Sequence, residues 1–155
     1  METIALVDDE QSILTSVSLA LETEGYKVDT YSNGIEAFKG LESKKYDLGL
    51  FDIKMPRMDG NELLAKVRTS KNSELRELPI IFLTSKDQEQ DEIIGLRMGA
   101  ADYIKKPFSQ KLLNERIRTV LRIHSNRKSI VHDDKPKYSN LKKGYLELDE
   151  LKQLC

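Results

Sequence analysis

The chain has few of the residues that mark secreted, membrane-spanning or disulfide-bonded proteins. Its 155 residues contain one cysteine, Cys155, and no tryptophan. One cysteine supports no disulfide framework, which indicates a cytosolic protein. No apolar run approaches the roughly 18 residues of a membrane span, and the N-terminus leads straight into a predicted strand without a signal-peptide pattern. We therefore expect a cytoplasmic location, with neither export nor a membrane anchor.

An excess of charge and a phosphate-binding loop are also missing. The net charge is −1, so the overall field favours no nucleic-acid partner. His124 and His132 lack the spacing of metal ligands. No glycine-rich phosphate cradle follows the first strand; Asp8, Asp9 and Glu10 stand there and would repel a bare phosphate. This pattern argues against a nucleotide or flavin site at that turn.

Strand and helix patterns alternate along the chain. Short runs predict strands at Ile4–Val7, Lys27–Tyr31, Leu48–Phe51, Ile80–Leu83 and Asp102–Lys105. Helical spacing of apolar residues lies between them and continues from Gln110 to about His124. Repeated strand-then-helix units predict an α/β fold, a doubly wound parallel sheet with helices on both faces. The polar stretch Thr69–Glu77 predicts a long loop.

Polar side chains suited to phosphoryl transfer stand at the ends of four predicted strands. They are Asp8, Asp9, Asp52, Thr84 and Lys106. In an open parallel sheet, ligands bind outside the carboxyl ends of the strands. These side chains therefore predict a site at that edge of the sheet.

The residue types at this edge indicate a particular chemistry. Crowded carboxylates repel one another unless a hard cation lies among them, and Mg²⁺ is the usual one. The ammonium of Lys106 and the hydroxyl of Thr84 are donors that suit the oxygens of a phosphoryl group. The acceptor of that group is then a carboxylate of the protein itself. Adjacent acids before a helix are often only caps, but the combination with Asp52, Thr84 and Lys106 favours the site.

Four segments resemble the signature segments of bacterial response-regulator receiver domains, in order and with suitable spacing. They are "ALVDDE", "FDIKMPRMDG", "IFLTSK" and "YIKKPF". The chain most resembles the OmpR/PhoB class, and "TIALVDDE…ILTSVSLALE" resembles its ChvI branch. The resemblance implies a flavodoxin-like (CheY-like) receiver domain over residues 1–124, with five strands in the order 2-1-3-4-5.

The resemblance also implies a phosphoacceptor and a metal site. Asp52 would be phosphorylated by a phosphohistidine of a cognate sensor histidine kinase. Asp9 and Asp52, with the backbone carbonyl of Lys54, would bind Mg²⁺ or Mn²⁺, and Asp8 would reach the metal through water. An alternative is a phosphohydrolase that uses Asp52 as a nucleophile, as haloacid dehalogenases do. Those enzymes need a second aspartate where this chain has Lys54, so we expect a phosphoacceptor switch with at most weak self-dephosphorylation.

The same resemblance assigns the switch. Lys106 would pair with the phosphoryl group, and Lys106–Pro107 would be a cis peptide. Thr84 would turn to hydrogen-bond the phosphoryl group, and Tyr103, three residues before Lys106, would turn inward in response. Taken alone, Tyr103 is more often a half-buried strand aromatic than a switch.

The resemblance also implies a homodimer on phosphorylation, since receivers of this class usually dimerise through the helix predicted here at Gln88–Met98, the fifth strand and the following helix. Ion pairs that usually set the register are depleted here, because Ala101, Glu92 and Leu112 replace charged residues of the pattern. The expected dimer surface consists of Asp102, Arg116, Ile94, Met98 and Leu112. We expect a weak, phosphorylation-promoted homodimer.

The C-terminal segment changes in character after the receiver. Residues 125–140 are poor in apolar side chains and predict a linker. Residues 141–155, "LKKGYLELDELKQLC", resemble the first strands of a winged-helix DNA-binding domain. We therefore expect transcription control and DNA binding only through a complete effector domain, of which this chain carries the beginning.

Overall fold

Five short strands form the sheet of this computed structural model, which describes residues 1–85 and 89–133, and side chains as far as Ser125. The strands are β1 (Thr3–Val7), β2 (Lys27–Tyr31), β3 (Leu48–Asp52), β4 (Ile80–Thr84) and β5 (Asp102–Lys105). All neighbouring pairs are parallel, in the order β2-β1-β3-β4-β5. The predicted fold and strand order are therefore confirmed. Asp52 and Thr84 are themselves the last residues of their strands.

Helices cover the sheet on both faces. They are α1 (Gln11–Thr23), α2 (Gly34–Ser43), α3 (Gly60–Arg68), α4 (Ser73–Arg76), α5 (Glu89–Arg97) and α6 (Gln110–Asp133). Residues of α2 and α3 such as Leu41 and Leu63 pack on one face, and residues of α1 and α6 such as Leu21 and Ile117 pack on the other. Every residue of β3 and β4 is buried, as expected for central strands covered on both sides.

The prediction of a continuous loop over Thr69–Glu77 was wrong, because the short helix α4 lies within it. The side chain of Asn72 caps α4 by accepting hydrogen bonds from the backbone N–H groups of Glu74 (3.0 Å) and Leu75 (3.4 Å). Leu75 is the buried residue of this helix. One apolar residue in four shows no helical period, so the pattern gave no signal for this turn.

The last helix is longer than predicted. It runs to Asp133 rather than ending near His124, and so covers the first part of the predicted linker. The sheet, the first five helices and α6 as far as Leu121 belong to one compact unit, Met1–Leu121. The second unit begins at Arg122, and its backbone is helical as far as Asp133. The predicted effector segment, 141–155, lies outside the described residues, so the domain boundaries stay a prediction.

The start of α3 is fixed by its own sequence. Asp59 accepts a hydrogen bond from the backbone N–H of Glu62 (2.8 Å), and the Glu62 carboxylate accepts one from the N–H of Asp59 (3.3 Å). This capping box satisfies N–H groups that a helix start otherwise leaves without partners. Over the described residues, no helix is long and apolar enough to cross a membrane.

Candidate functional site

Three carboxylates meet at the carboxyl ends of β1 and β3. Val7 pairs with Phe51 in the sheet, so the residues that follow them, Asp8 and Asp52, come to the same edge. Asp8, Asp9 and Asp52 each place a carboxylate oxygen within 4.8 Å of the others. The convergence predicted from the strand ends is present in the structure.

Burial sets the electrostatics of this cluster. Asp8 is 0% exposed and Asp52 is 5% exposed, whereas Asp9 is exposed. Burial, followed by the charge of Asp8 and with a smaller contribution from Asp9, raises the pKa of Asp52 to about 7, and Lys106 only partly opposes this. Lys106 alone therefore does not bring the pKa of Asp52 back to its ordinary value, and further positive charge would favour the ionised form.

Lys106 brings the one ammonium to the cluster among the described residues. Its Nζ lies 2.9 Å from Asp8 Oδ2, 3.4 Å from Asp52 Oδ1 and 3.5 Å from Glu10 Oε1. Burial by itself would lower the pKa of Lys106, but the hydrogen bond to Asp8 and the charges of Asp52, Asp8 and Glu10 outweigh it and raise that pKa. The Lys106–Pro107 peptide is cis, as expected. Lys106 is therefore charged and shared among several acids.

The donor set fits a hard divalent cation. Asp8, Asp9 and Asp52 bring three carboxyl groups close together, and oxygen ligands of this kind are those that Mg²⁺ prefers. Asp8 already uses both oxygens, because Oδ1 accepts a hydrogen bond from the Glu10 N–H (2.9 Å) and Oδ2 accepts one from Lys106. The Lys54 side chain is exposed, two residues beyond Asp52. The ligand roles predicted for these residues stay predictions.

Thr84 supplies a buried hydroxyl near the same edge. It is the last residue of β4, one position beyond Leu83, which pairs with Asp52. Thr84 is fully buried, and its Oγ1 has no hydrogen-bond partner among the described residues. Its backbone carbonyl accepts a hydrogen bond from the Lys106 N–H (2.6 Å), which ties the two residues together. A buried hydroxyl without a partner is costly, and it suits a group that finds its partner in another state.

Tyr103 packs between β4 and α5. Its ring lies 5.6 Å from that of Phe82, with 31° between the ring planes. The hydroxyl donates a hydrogen bond to the backbone carbonyl of Glu92 in α5 (2.5 Å). Burial and the nearby charge of Glu92 raise the pKa of Tyr103 to about 12. The hydroxyl therefore keeps its proton at neutral pH and donates a hydrogen bond to α5. The inward movement of Tyr103 on phosphorylation stays a prediction.

The residues expected at a dimer surface lie on α5, β5 and α6. Ile94 and Leu112 are exposed, and Met98 is half-buried. Arg116 Nη1 lies 3.0 Å from both carboxylate oxygens of Asp102, so this ion pair forms within one chain. The sequence reasoning missed two further exposed apolar residues of α5, Ile93 and Leu96. Their helical spacing beside Ile94 was the available signal.

Two other polar residues near the site were missed. Glu10 contacts Lys106, and the acidic run Asp8, Asp9 and Glu10 was its signal. Asn61, in the first turn of α3, is buried and donates a hydrogen bond to the backbone carbonyl of Asp91 (3.2 Å). A polar residue next to a helix cap is ordinarily expected to face solvent, so no sequence pattern predicted the burial of Asn61.

Comparison with known proteins places this geometry in a family. A family model described as "Response regulator receiver domain" matches residues 4–118. The alkaline phosphatase synthesis transcriptional regulatory protein PhoP of Bacillus subtilis is 44% identical over 119 residues, which cover 77% of this chain and 48% of that protein. The chain thus spans about half the length of that curated relative.

Solved structures show the same fold. A CheY-like receiver domain protein from Methanospirillum hungatei has a TM-score of 0.76 at 32% identity, covering 82% of this chain and 98% of that one. The receiver domain of a sensor histidine kinase from Pseudomonas aeruginosa has a TM-score of 0.71 at 30% identity, covering 77% and 97%. That structure has a magnesium ion coordinated in its active site cleft.

Proposed function

Because this chain belongs to the response regulator receiver domain family, with relatives in the OmpR/PhoB class of transcriptional regulators, we propose that Asp52 is its phosphoacceptor. The donor is a phosphohistidine of a sensor histidine kinase. The P–N bond of the phosphohistidine breaks, its electron pair returns to the imidazole, and a P–O bond forms to a carboxylate oxygen of Asp52. The receiver thereby carries a signal in two-component signalling.

The observation that supports this proposal most is the position of Lys106 between Asp8 and Asp52. Its Nζ lies 3.4 Å from Asp52 Oδ1, so an ammonium is already close to the oxygen that would carry the phosphoryl group. Preorganised positive charge of this kind favours a group on which negative charge accumulates. The buried Thr84 hydroxyl, which has no partner among the described residues, is the second donor.

We propose that Mg²⁺ or Mn²⁺ binds at the carboxylate cluster. Asp9, Asp52 and the Lys54 carbonyl are the direct ligands, and Asp8, whose two oxygens each accept one hydrogen bond, acts through water. When bound, the cation supplies positive charge that favours ionised Asp52 and offsets the charge of the phosphoryl oxygens. The Pseudomonas aeruginosa receiver, with its magnesium ion, supports this assignment.

The output is a change of surface rather than turnover of a substrate. Thr84 and Tyr103 form the switch, and hydrolysis of the phosphorylated Asp52 is at most slow. The surface of Asp102, Arg116, Ile94, Met98 and Leu112 then promotes a homodimer. In the whole protein, a winged-helix domain would use this dimer to control transcription on DNA, as the regulatory role of the Bacillus subtilis relative suggests. A cytoplasmic location and the ChvI branch remain predictions from the sequence.

Phosphotransfer from acetyl phosphate tests the proposal. With Mg²⁺ present, the intact mass of the protein should rise by one phosphoryl group. The increase should disappear when EDTA removes the metal, and it should also disappear in Asp52→Asn. A protein that gains the same mass in Asp52→Asn uses another acceptor, and one that gains none under any condition is no phosphoacceptor.

A further inference from the structure

The first turn of α3 rests on the backbone of the proposed phosphoacceptor. The Gly60 N–H donates a hydrogen bond to the Ile53 carbonyl (2.7 Å). A Cβ at Gly60 would lie only 2.5 Å from the Asp52 carbonyl oxygen and 2.9 Å from Ile53 Cα. Backbone atoms cannot move aside as a side chain does, so α3 and the end of β3 have one close arrangement. A displacement of the backbone at Asp52 therefore also displaces the first turn of α3.

Asn61, the next residue of α3, extends this contact to α5. Its side chain is only 8% exposed, and its Nδ2 donates a hydrogen bond to the Asp91 carbonyl (3.2 Å). The following carbonyl of α5, that of Glu92, accepts the hydrogen bond of the Tyr103 hydroxyl. Two side chains from different elements thus bind consecutive carbonyls of α5. One comes from the helix that packs on Asp52, and the other is the proposed switch residue.

The carboxamide of Asn61 has an acceptor that no described residue uses. Asn61 Oδ1 is buried and has no hydrogen-bond partner among the described residues. A buried carbonyl without a partner is unfavourable. A Cβ placed on Gly95 would lie 3.2 Å from Asn61 Oδ1 and 2.2 Å from the Tyr103 hydroxyl oxygen, so both oxygens face the same point of α5. The missing side chain of Gly95 leaves the space between them open.

We propose that Asn61 is a positioning residue of the switch, whose Oδ1 is a second acceptor for the Tyr103 hydroxyl when phosphorylation of Asp52 moves Tyr103 away from the Glu92 carbonyl. One donor and two acceptors give this region two discrete arrangements, which is what a switch requires. In the arrangement described, the Tyr103 hydroxyl donates a hydrogen bond to the Glu92 carbonyl. In the other, the Tyr103 hydroxyl donates to Asn61 Oδ1, and the first turn of α5 loses one of the two side-chain hydrogen bonds that it accepts from described residues.

This inference rests on the proposed function, since it needs a phosphorylated state, but it adds a residue outside the proposed phosphoryl-binding set. Asn61 links Asp52 to α5 through α3, whereas Thr84 lies on β4. Loss of Asn61 should therefore leave phosphoryl uptake intact and weaken only the response of α5. A purely structural asparagine would change the stability of the protein without changing that response.

The chain offers a matched control in Asn114. It is 7% exposed, its Nδ2 donates to Glu24 Oε1 (2.8 Å), and its Oδ1 also has no partner among the described residues. It lies on α6 and reaches the end of α1 rather than α5. Asn61→Leu and Asn114→Leu thus remove the same groups from equally buried sites, and only the first should affect the switch.

Hydrogen–deuterium exchange of the 89–97 segment, with and without acetyl phosphate and Mg²⁺, measures the response of α5. The exchange difference should fall about two- to thirtyfold in Asn61→Leu and stay unchanged in Asn114→Leu, while both variants take up one phosphoryl group. Tyr103→Phe should lower the difference similarly and add nothing to Asn61→Leu. Equal responses in the two asparagine variants, or additive effects with Tyr103→Phe, would overturn the role of Asn61.

A measurement on the unaltered chain covers the case in which Asn61→Leu does not fold. The side-chain amide signals of Asn61 in NMR spectra should shift on phosphorylation while those of Asn114 stay in place. An unchanged Asn61 signal in protein whose mass shows the phosphoryl group overturns this inference alone. Absence of the phosphoryl mass in the unaltered protein overturns the proposed function as well, so the two failures are distinguishable.

Discussion

Lys106 Nζ lies 2.9 Å from Asp8 Oδ2 and 3.4 Å from Asp52 Oδ1, so the lysine is bound more closely to Asp8 than to the proposed phosphoacceptor. Asp8 is fully buried and depends on this partner. A buried ion pair is costly to break from either side. The lysine is thus held in place before any phosphoryl group arrives, and it needs to move little to reach one.

The first prediction concerns the pH dependence of stability without metal. The pKa of Asp52 is raised from its ordinary 3.8 to about 7, chiefly by burial. Between these values the folded protein binds more protons than the unfolded one, so its free energy of unfolding should fall as pH rises from 4 to 7. Each pKa unit corresponds to about 1.4 kcal/mol. Urea unfolding in EDTA at several pH values measures this slope.

Asp52→Asn is the control for that slope, because it removes the titrating group while keeping the shape of the side chain. The variant should be more stable than the unaltered protein at pH 7. Its free energy of unfolding should fall much less between pH 4 and pH 7. Added Mg²⁺ should stabilise the unaltered protein more at pH 7 than at pH 5. If the free energy of unfolding depends on pH equally in both proteins in EDTA, Asp52 is not the carboxyl group whose pKa is raised.

The second prediction concerns the metal ligands. Asp9→Ala should weaken Mg²⁺ binding more than Asp8→Ala, since a direct ligand contributes more than one acting through water. Loss of an outer-shell group usually costs about 10- to 100-fold in affinity. Glu10→Ala is the control, because Glu10 is an exposed acid that also contacts Lys106, and it should have little effect. If calorimetric titration shows that Asp8→Ala loses more Mg²⁺ affinity than Asp9→Ala, the assignment of direct and water-mediated ligands is reversed.

The third prediction concerns the space above Gly95. A Cβ there would lie 2.2 Å from the Tyr103 hydroxyl oxygen and 2.9 Å from Phe82 Cε2. Gly95→Ala should therefore destabilise the protein by about 1–3 kcal/mol, although alanine favours a helix by up to about 1 kcal/mol. In the Tyr103→Phe background the hydroxyl is gone, so the same substitution should cost less. Thermal unfolding of the four proteins tests this, and equal costs in both backgrounds would contradict it.

The fourth prediction concerns the dimer. The surface combines exposed Ile94 and Leu112 with one Asp102–Arg116 ion pair, and an exposed ion pair contributes at most about 1 kcal/mol. Sedimentation of the phosphorylated protein should show a weak, mildly salt-sensitive dimer that Arg116→Glu disrupts.

Arg118→Glu is the matched control for the dimer, because Arg118 lies on the same helix and pairs with Glu115 within it. It makes the same change of charge and should leave the dimer intact. A tight dimer that survives Arg116→Glu, or one that both variants disrupt equally, would place the interface elsewhere.

The sheet and most of the site could be predicted from the sequence because each depends on a local pattern. Apolar runs define the strands, and the residue after each run must lie at the carboxyl edge of a parallel sheet. Asp8, Asp52 and Lys106 follow from that rule alone. Predicting that these three residues lie near one another needs no knowledge of side-chain packing.

The parts that sequence reasoning missed depend on contacts between elements. Nothing near Asn61 in the chain shows that it meets Asp91 on another helix. The preference of Lys106 for Asp8 over Asp52 depends on distances that no spacing encodes. The end of α6 was predicted too early because its polar composition was taken as typical of a linker, although no glycine or proline occurs between Gln110 and Pro136.

Locating the phosphoryl group on the chain tests the central claim most directly. After treatment with acetyl phosphate and Mg²⁺, borohydride reduction converts a phosphorylated aspartate to homoserine, and peptide mass mapping identifies the residue changed. We expect the change at Asp52 alone, with Asp8 and Asp9 unaltered and no change in Asp52→Asn. A homoserine at Asp8 or Asp9 in the unaltered protein, or no reduced residue in protein that carries the phosphoryl mass, would contradict the assignment of Asp52 as the phosphoacceptor.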